Sequence, residues 1–345
     1  MRWTIAAGVA LATALAPAAC KQTIIVDQAA GDGGGVSIDG GPIPACSGPS
    51  IDPKVANSLE VIVAMDRSTG MTTAKFGDTT ALIAARNTID DIAAQYQKVV
   101  LFGYVEFPGN FMCSSGQGGC CATSVAPPSQ TNAGFGIALH ACDQPSTSCP
   151  MSSQRATATA LGRCLPSFSQ PGRARRSVLL ITNDQPDCDF GTDTPCNEAR
   201  NAASTLYTQY NVSTYVVAPG TFDPTSNTTA CLQGIAAYGG GKGNFRPASD
   251  MQELNDAIDG VVHSIAQFAC HLDLTPSQIR STDSVVLVWK GAVVPFDRSG
   301  YDGWDLTPNQ NGYMIDLSTG KWCDRLIQDG PGAFTLLTDC NPAHH

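Results

Sequence analysis

Four short runs that are almost unbroken in apolar residues, Leu59–Met65, Val99–Val105, Ser177–Thr182 and Ser213–Ala218, are separated by stretches with helical spacing. No other feature of the chain constrains its fold as much. Between the first two runs, Leu82, Ile83, Ile89, Ile92 and Ala93 recur at three-to-four spacing within Thr79–Tyr96, which predicts an amphipathic helix. Further helices are expected over Gln154–Leu165, Asn197–Tyr210, Thr228–Tyr238 and Asp250–Phe268. Continuous apolar runs belong to strands buried on both faces, and parallel strands need crossover connections. The alternation therefore predicts an α/β fold, a doubly wound and mostly parallel sheet with helices on both faces. Such sheets place their binding sites at the carboxyl ends of the strands.

Two segments break this pattern. Residues 108–152 form an insertion holding Cys113, Cys120, Cys121, Cys142 and Cys149 among Gly, Ser, Pro and Gln, with few apolar residues to bury. Disulfides are expected to replace a core there, and the lack of paired C-x-x-C spacings argues against zinc. Residues 269–345 carry short strand patterns at Asp283–Val288, Met314–Leu317 and Phe334–Leu337 between turn-rich stretches, which predicts a small all-β module with Trp304 and Trp322 in its core. The chain has 14 Cys, a density that points to disulfides in an oxidising compartment. Cys188 and Cys196 flank a short loop and form a candidate local pair, and Cys323 and Cys340 are the candidate pair closing one edge of the β module.

The amino-terminal residues bear on the same compartment. Arg2, the apolar stretch Trp3–Ala16 and the small residues around Ala18 make residues 1–19 a signal peptide, so the protein is expected to be exported. Cys20 follows Leu15, Ala16, Pro17, Ala18 and Ala19, which resembles the lipobox of bacterial lipoproteins, although Pro17 departs from the usual residue. That resemblance implies acylation of Cys20 and, with Lys21 after it, an outer-membrane or cell-surface lipoprotein. The alternative is cleavage after Ala18, leaving Cys20 as a disulfide partner in a secreted or periplasmic protein. Residues 20–57, with their Gly-rich stretch from Gly31 to Gly35 and no aromatic side chain, read as a flexible tether. No later stretch reaches the ~20 apolar residues of a membrane span, so membrane contact is expected through the lipid anchor alone.

Residues 58–268 resemble the von Willebrand factor type A (VWA) domain. The residues that carry the likeness are Asp66-Arg67-Ser68-Thr69-Gly70 after the first strand, Thr157-Ala158-Thr159 opening a helix, and Val178–Pro186, a strand ending in Thr182-Asn183-Asp184. The resemblance implies a metal-ion-dependent adhesion site in which Asp66, Ser68, Thr157 and Asn183, with Asp184 beside them, hold Mg²⁺ or another divalent cation. A hard cation of this kind takes about six oxygens, and an acidic group from a protein partner would complete the shell. Gly70 stands where the family has a second Ser, and Asn183 where it has a second Asp, so the site departs from the family pattern by one hydroxyl and one carboxylate.

Other functional classes find little support. The formal net charge of −10 opposes a nucleic-acid partner, whose phosphates need clustered Lys and Arg. His140, His263, His271, His344 and His345 lie outside any H-E-x-x-H pattern, no G-x-S-x-G or phosphate-cradling loop occurs, and catalysis is not expected. Asp187 and Asp189 bracket Cys188 in the loop after the third apolar run, within reach of the same strand ends. The sequence thus points to an exported, lipid-anchored surface protein that binds a protein partner through a VWA-like domain; the alternative is a structural envelope protein with that fold and no working metal site. Mass spectrometry of the mature amino terminus is expected to show a diacylated Cys20; an unmodified terminus beginning at Ala19 would contradict the anchor.

Overall fold

The computed structural model describes residues 43–55, 59–108, 121–128, 133–141, 153–168, 175–188, 193–241, 243–274, 285–297, 303–309, 312–317 and 320–340. The expected signal peptide, Cys20 and most of the insertion lie outside these residues. In chain order, β1 (Lys54–Val55) and β2 (Leu59–Asp66) precede the short α1 (Thr69–Thr73), the small hairpin of β3 (Lys75–Phe76) and β4 (Thr79–Thr80), and α2 (Ala81–Tyr96). Then follow β5 (Val100–Phe107), β6 (Thr123–Ala126), α3 (Ala133–His140), α4 (Thr157–Ser167), β7 (Arg175–Ile181), α5 (Pro195–Tyr210), β8 (Val212–Pro219), α6 (Asn227–Tyr238), β9 (Phe245–Ala248) and α7 (Met251–Ala266). The remaining elements are β10 (His271–Leu274), β11 (Val286–Trp289), β12 (Ala292–Val293), β13 (Asp305–Asn309), β14 (Gly312–Asp316), α8 (Lys321–Asp329) and β15 (Phe334–Leu337).

The principal sheet has six strands in the order β6-β5-β2-β7-β8-β9, all parallel except the antiparallel edge strand β6. This is the mostly parallel α/β architecture expected from the apolar runs. Strand β2 is buried along its whole length and sits between β5 and β7. Because side chains alternate across a strand, Val61, Val63 and Met65 pack with α2, α3 and α7, whereas Ile62 and Ala64 pack with α4, α5 and α6. The chain leaves β2 towards β5 on one side and returns to β7 on the other. The carboxyl end of β2 is therefore a topological switch point, where loops diverge and leave a crevice.

Local chemistry fixes the helix ends. Thr80, Thr194, Ser226 and Asp250 cap α2, α5, α6 and α7 by accepting backbone N–H bonds, and Pro195 occupies the first turn of α5. Helices α2 and α7 are also joined across the core by Thr88 donating to Asn255 at 2.7 Å and Tyr96 donating to Asp259 at 2.8 Å.

The structure differs from the sequence reading in three places. The insertion does contribute to the core: β6 pairs with β5, and α3 buries Phe135 and Leu139, with the Phe135 ring 5.6 Å from that of Phe102. Residues 43–55, read as tether, instead pair with the carboxyl-terminal strands. Strand β1 pairs with β10, Ile51 exchanges backbone hydrogen bonds with Leu336, and Cys46 is disulfide-bonded to Cys340. The expected cysteine pairings are also replaced. Cys196 bonds to Cys231, joining α5 to α6, and Cys323 bonds to Cys270, while Cys188 is disulfide-bonded to a partner other than Cys196. Cys164 is a buried free thiol whose Sγ donates to the Ala160 carbonyl.

The carboxyl-terminal strands form two small antiparallel sheets, β1-β10-β14-β13 and β12-β11-β15, accompanied by α8. Trp304 and Trp322 are buried there, and their core is continuous with the one that covers the α2 and α7 face of the main sheet.

If α3 belongs to the core, Phe135→Ala will cost about 3–5 kcal/mol in urea unfolding. Ile137→Ala, on the exposed side of the same helix, will change stability by less than about 0.5 kcal/mol. Equal small effects would separate the insertion from the core.

Candidate strand-end site

Asp66 closes β2 and is fully buried. The Ser68 backbone N–H donates to its Oδ1 at 2.7 Å, and the Thr182 hydroxyl, from the end of β7, donates to Oδ2 at 2.7 Å. Burial pushes the Asp66 carboxyl above the ordinary carboxylate range, while these two donors, the Ser68 hydroxyl and the Arg155 guanidinium pull in the opposite direction. A carboxylate in this position needs a cation, because a buried charge without a partner is strongly destabilising.

Arg155 supplies that cation. It lies two residues before Thr157, the first residue of α4, and its side chain is 14% exposed. The guanidinium Nε is 3.7 Å from Asp66 Oδ2, Nη2 is 3.3 Å from Asp184 Oδ2, and Nη1 is 2.9 Å from Asp187 Oδ2. Asp187 also accepts the Arg155 backbone N–H, and its own N–H donates to the Arg155 carbonyl at 3.4 Å, so backbone and side chain are held together. Asp184 is fixed in turn by the Gln185 N–H at 2.8 Å and the Thr228 hydroxyl of α6 at 3.2 Å. The planar fork of Arg suits several carboxylates at once.

The structure places the residues expected to hold a metal as follows. Asp66 and Ser68 lie at the end of β2 and the start of α1, Thr157 begins α4, and Asn183 and Asp184 form the turn after β7. Thr157 Oγ1 and Asn183 Oδ1 are buried without a hydrogen-bond partner, and Ser68 Oγ, beside the Asp66 carboxylate, makes no hydrogen bond of acceptable geometry. These oxygens have the chemistry that Mg²⁺ prefers. The space beside them is taken, however. A Cβ added at Gly70 would stand 2.7 Å from Arg155 Nη2 and 3.0 Å from Asn183 Oδ1, so the guanidinium and the amide share the pocket next to Gly70. With Arg155 in this position, the residues do not fit a divalent ion at the ~2 Å ligand distances it requires. Among the described residues, no group of three or more His, Cys, Asp or Glu side chains is placed to hold a metal.

Two partners of the site were not singled out from the sequence. Arg155 belongs to no motif, and its only signal is a lone basic residue two positions ahead of the Thr157-Ala158-Thr159 segment. Arg67, the variable residue of the Asp66-Arg67-Ser68 stretch, is buried and ion-paired with Glu106 at 2.9 Å, which ties the site to the end of β5. Asp189, considered with Asp187 as a second carboxylate, lies outside the described residues. His140 and His263 lie elsewhere, beside Asp90 at 3.9 Å and Asp324 at 3.8 Å respectively.

No family model matches this chain, and no curated protein matches it significantly. Solved structures do. The pilus adhesin SpaC from Lactobacillus rhamnosus GG superposes with a TM-score of 0.50 at 11% identity, over 81% of this chain and 38% of the adhesin. The conserved hypothetical protein BatB from Bacteroides thetaiotaomicron gives 0.44 at 18% identity, over 61% of this chain and 99% of its own length. Proximal thread matrix protein 1 from the mussel byssus, in a structure with a zinc-occupied MIDAS motif, gives 0.43 at 14% identity, over 62% of this chain and 48% of that one. The chain thus spans less than half the length of the adhesin and of the byssus protein. At these identities the likeness is one of fold, and the fold is VWA-like.

Removing the cation should expose its structural role. Arg155→Ala is expected to lower stability by about 3–5 kcal/mol in urea unfolding, with Arg155→Lys intermediate because an ammonium cannot span three carboxylates as the fork does. An Arg155→Ala protein as stable as the parent would contradict the ion-pair assignment.

Proposed function

We propose that this chain is an exported surface protein whose VWA-like domain binds a protein partner through the face at the carboxyl ends of β2 and β7. The observation that carries this reading is the polar cluster at the switch point of the sheet, where Asp184 and Asp187 are 42% and 38% exposed around an Arg155 that is only 14% exposed. A surface with two accessible carboxylates and one sheltered cation suits a basic group on the partner. The role is one of binding, with no catalytic step.

Export is supported by three disulfides between described cysteines, which belong in an oxidising compartment. Attachment through an acylated Cys20 places the protein at the outer membrane or cell surface; without acylation it is secreted or periplasmic. No described helix is long and apolar enough to cross a membrane.

The unpartnered oxygens of Thr157 and Asn183, with the Ser68 hydroxyl beside Asp66, favour a second mode, in which Mg²⁺ or another divalent ion binds after Arg155 withdraws and an acidic group of the partner completes the shell. The structural envelope alternative is favoured by the Arg155 guanidinium itself, which leaves the face without a metal.

Photo-crosslinking from cells tests the reading. A benzophenone side chain at Gln185, exposed on the strand-end face, is expected to capture one discrete polypeptide, whereas the same group at Gln97, exposed at the opposite end of the sheet, captures none. Loss of the product with EDTA selects the divalent mode, and its persistence selects the basic contact. Equal capture at both positions, or none at either, would overturn the binding face.

A further inference from the structure

We infer that Arg155 is the resident cation of the strand-end site: its guanidinium fills the place a divalent ion would need in order to reach Ser68, Thr157 and Asn183, and Asp66, Asp184 and Asp187 act as its ligands, so the native site excludes divalent metal. This goes beyond the docking role and decides between its two modes.

Three independent features of the site agree. The first is the guanidinium itself, hydrogen-bonded to Asp187 at 2.9 Å, anchored through its backbone by the same residue, and ion-paired with Asp184 at 3.3 Å and Asp66 at 3.7 Å, where its buried Nε makes no hydrogen bond. A cation so surrounded is not a chance surface pair, since its side chain is 14% exposed and Asp66 is fully buried. The second is Gly70. Any Cβ at this position would stand 2.7 Å from Arg155 Nη2, so the absence of a side chain is what admits the guanidinium. A Ser here would add a metal-ligating hydroxyl and, in the same stroke, collide with Arg155. The third is the set of buried oxygens left over. Thr157 Oγ1 and Asn183 Oδ1 have no partner and Ser68 Oγ has none of acceptable geometry, as expected where a metal-ligating set persists and its ion has been replaced by a group that cannot bond to all of it.

Electrostatics and sterics act together. An incoming divalent ion would have to displace a guanidinium from beside three carboxylates, and it would meet a positive charge in a partly water-excluded site, where like charges repel strongly. Only movement of the Arg155 side chain opens the site.

Calorimetric titration of the chelator-treated full chain with Mg²⁺, Mn²⁺ and Zn²⁺ tests this without any partner, so its outcome is separate from that of the crosslinking. The parent protein is expected to show no site at millimolar metal. Arg155→Ala is expected to bind one ion at least about tenfold more tightly than the parent, and to gain thermal stability from it through mass action. Adding Asp66→Ala to that variant is expected to abolish the binding. Gly70→Ser repeats the test with Arg155 retained, because its side chain pushes the guanidinium out, and circular dichroism verifies that each variant is folded. Metal binding by the parent as tight as by Arg155→Ala overturns the inference. So does the absence of binding by both Arg155→Ala and Gly70→Ser.

Discussion

The buried carboxylate at the end of β2 is the constraint around which the rest of the site is arranged. Strand β2 is covered on both faces, with odd-numbered side chains against α2 and α7 and even-numbered ones against α4, α5 and α6. Its last residue is Asp66, which water cannot reach. Such a group must collect donors and a cation from whatever elements end nearby. It receives the Ser68 N–H from just before α1, the Thr182 hydroxyl from just after β7 and the Arg155 guanidinium from the approach to α4. One buried charge thus ties together three connections that leave the sheet in different directions. Open α/β sheets bind their ligands at switch points of this kind.

The remainder of the chain holds this sheet in place from the other side. Helices α2 and α7 pack on one face, and the carboxyl-terminal strands with α8 extend that core through Leu272, Leu287, Trp304, Trp322 and Leu326. Disulfides cross-link the chain there. Cys46 and Cys340, separated by 294 positions, are bonded, and Cys270 is bonded to Cys323 across 53. Cross-links over long separations restrict the unfolded chain and favour the folded one.

The main strands and helices were legible because burial on both faces leaves no polar interruption: β2, β5, β7 and β8 each coincide with an apolar run, and the helices between them show their spacing. Helix α3 was not legible. Phe135 and Leu139 are its anchors, but Gly134, Gly136 and Ala138 between them dilute the pattern that marks an amphipathic helix. Disulfide partners were equally hidden, since Cys196 finds Cys231 only once α5 and α6 pack side by side. At the site, the motif residues lie at the strand and helix ends where the VWA resemblance puts them, yet the residue that governs their chemistry, Arg155, sits in no motif. Gly70 carried the trace of it. A missing side chain in a ligand position is a space, and here a guanidinium fills the space.

The most direct measurement is an anomalous diffraction map from crystals of the full chain soaked in Mn²⁺. Guanidinium density between Asp66, Asp184 and Asp187 is expected, with no manganese peak at the strand ends. A manganese peak about 2 Å from the oxygens of Asp66, Ser68 or Thr157, with Arg155 turned away, would contradict it.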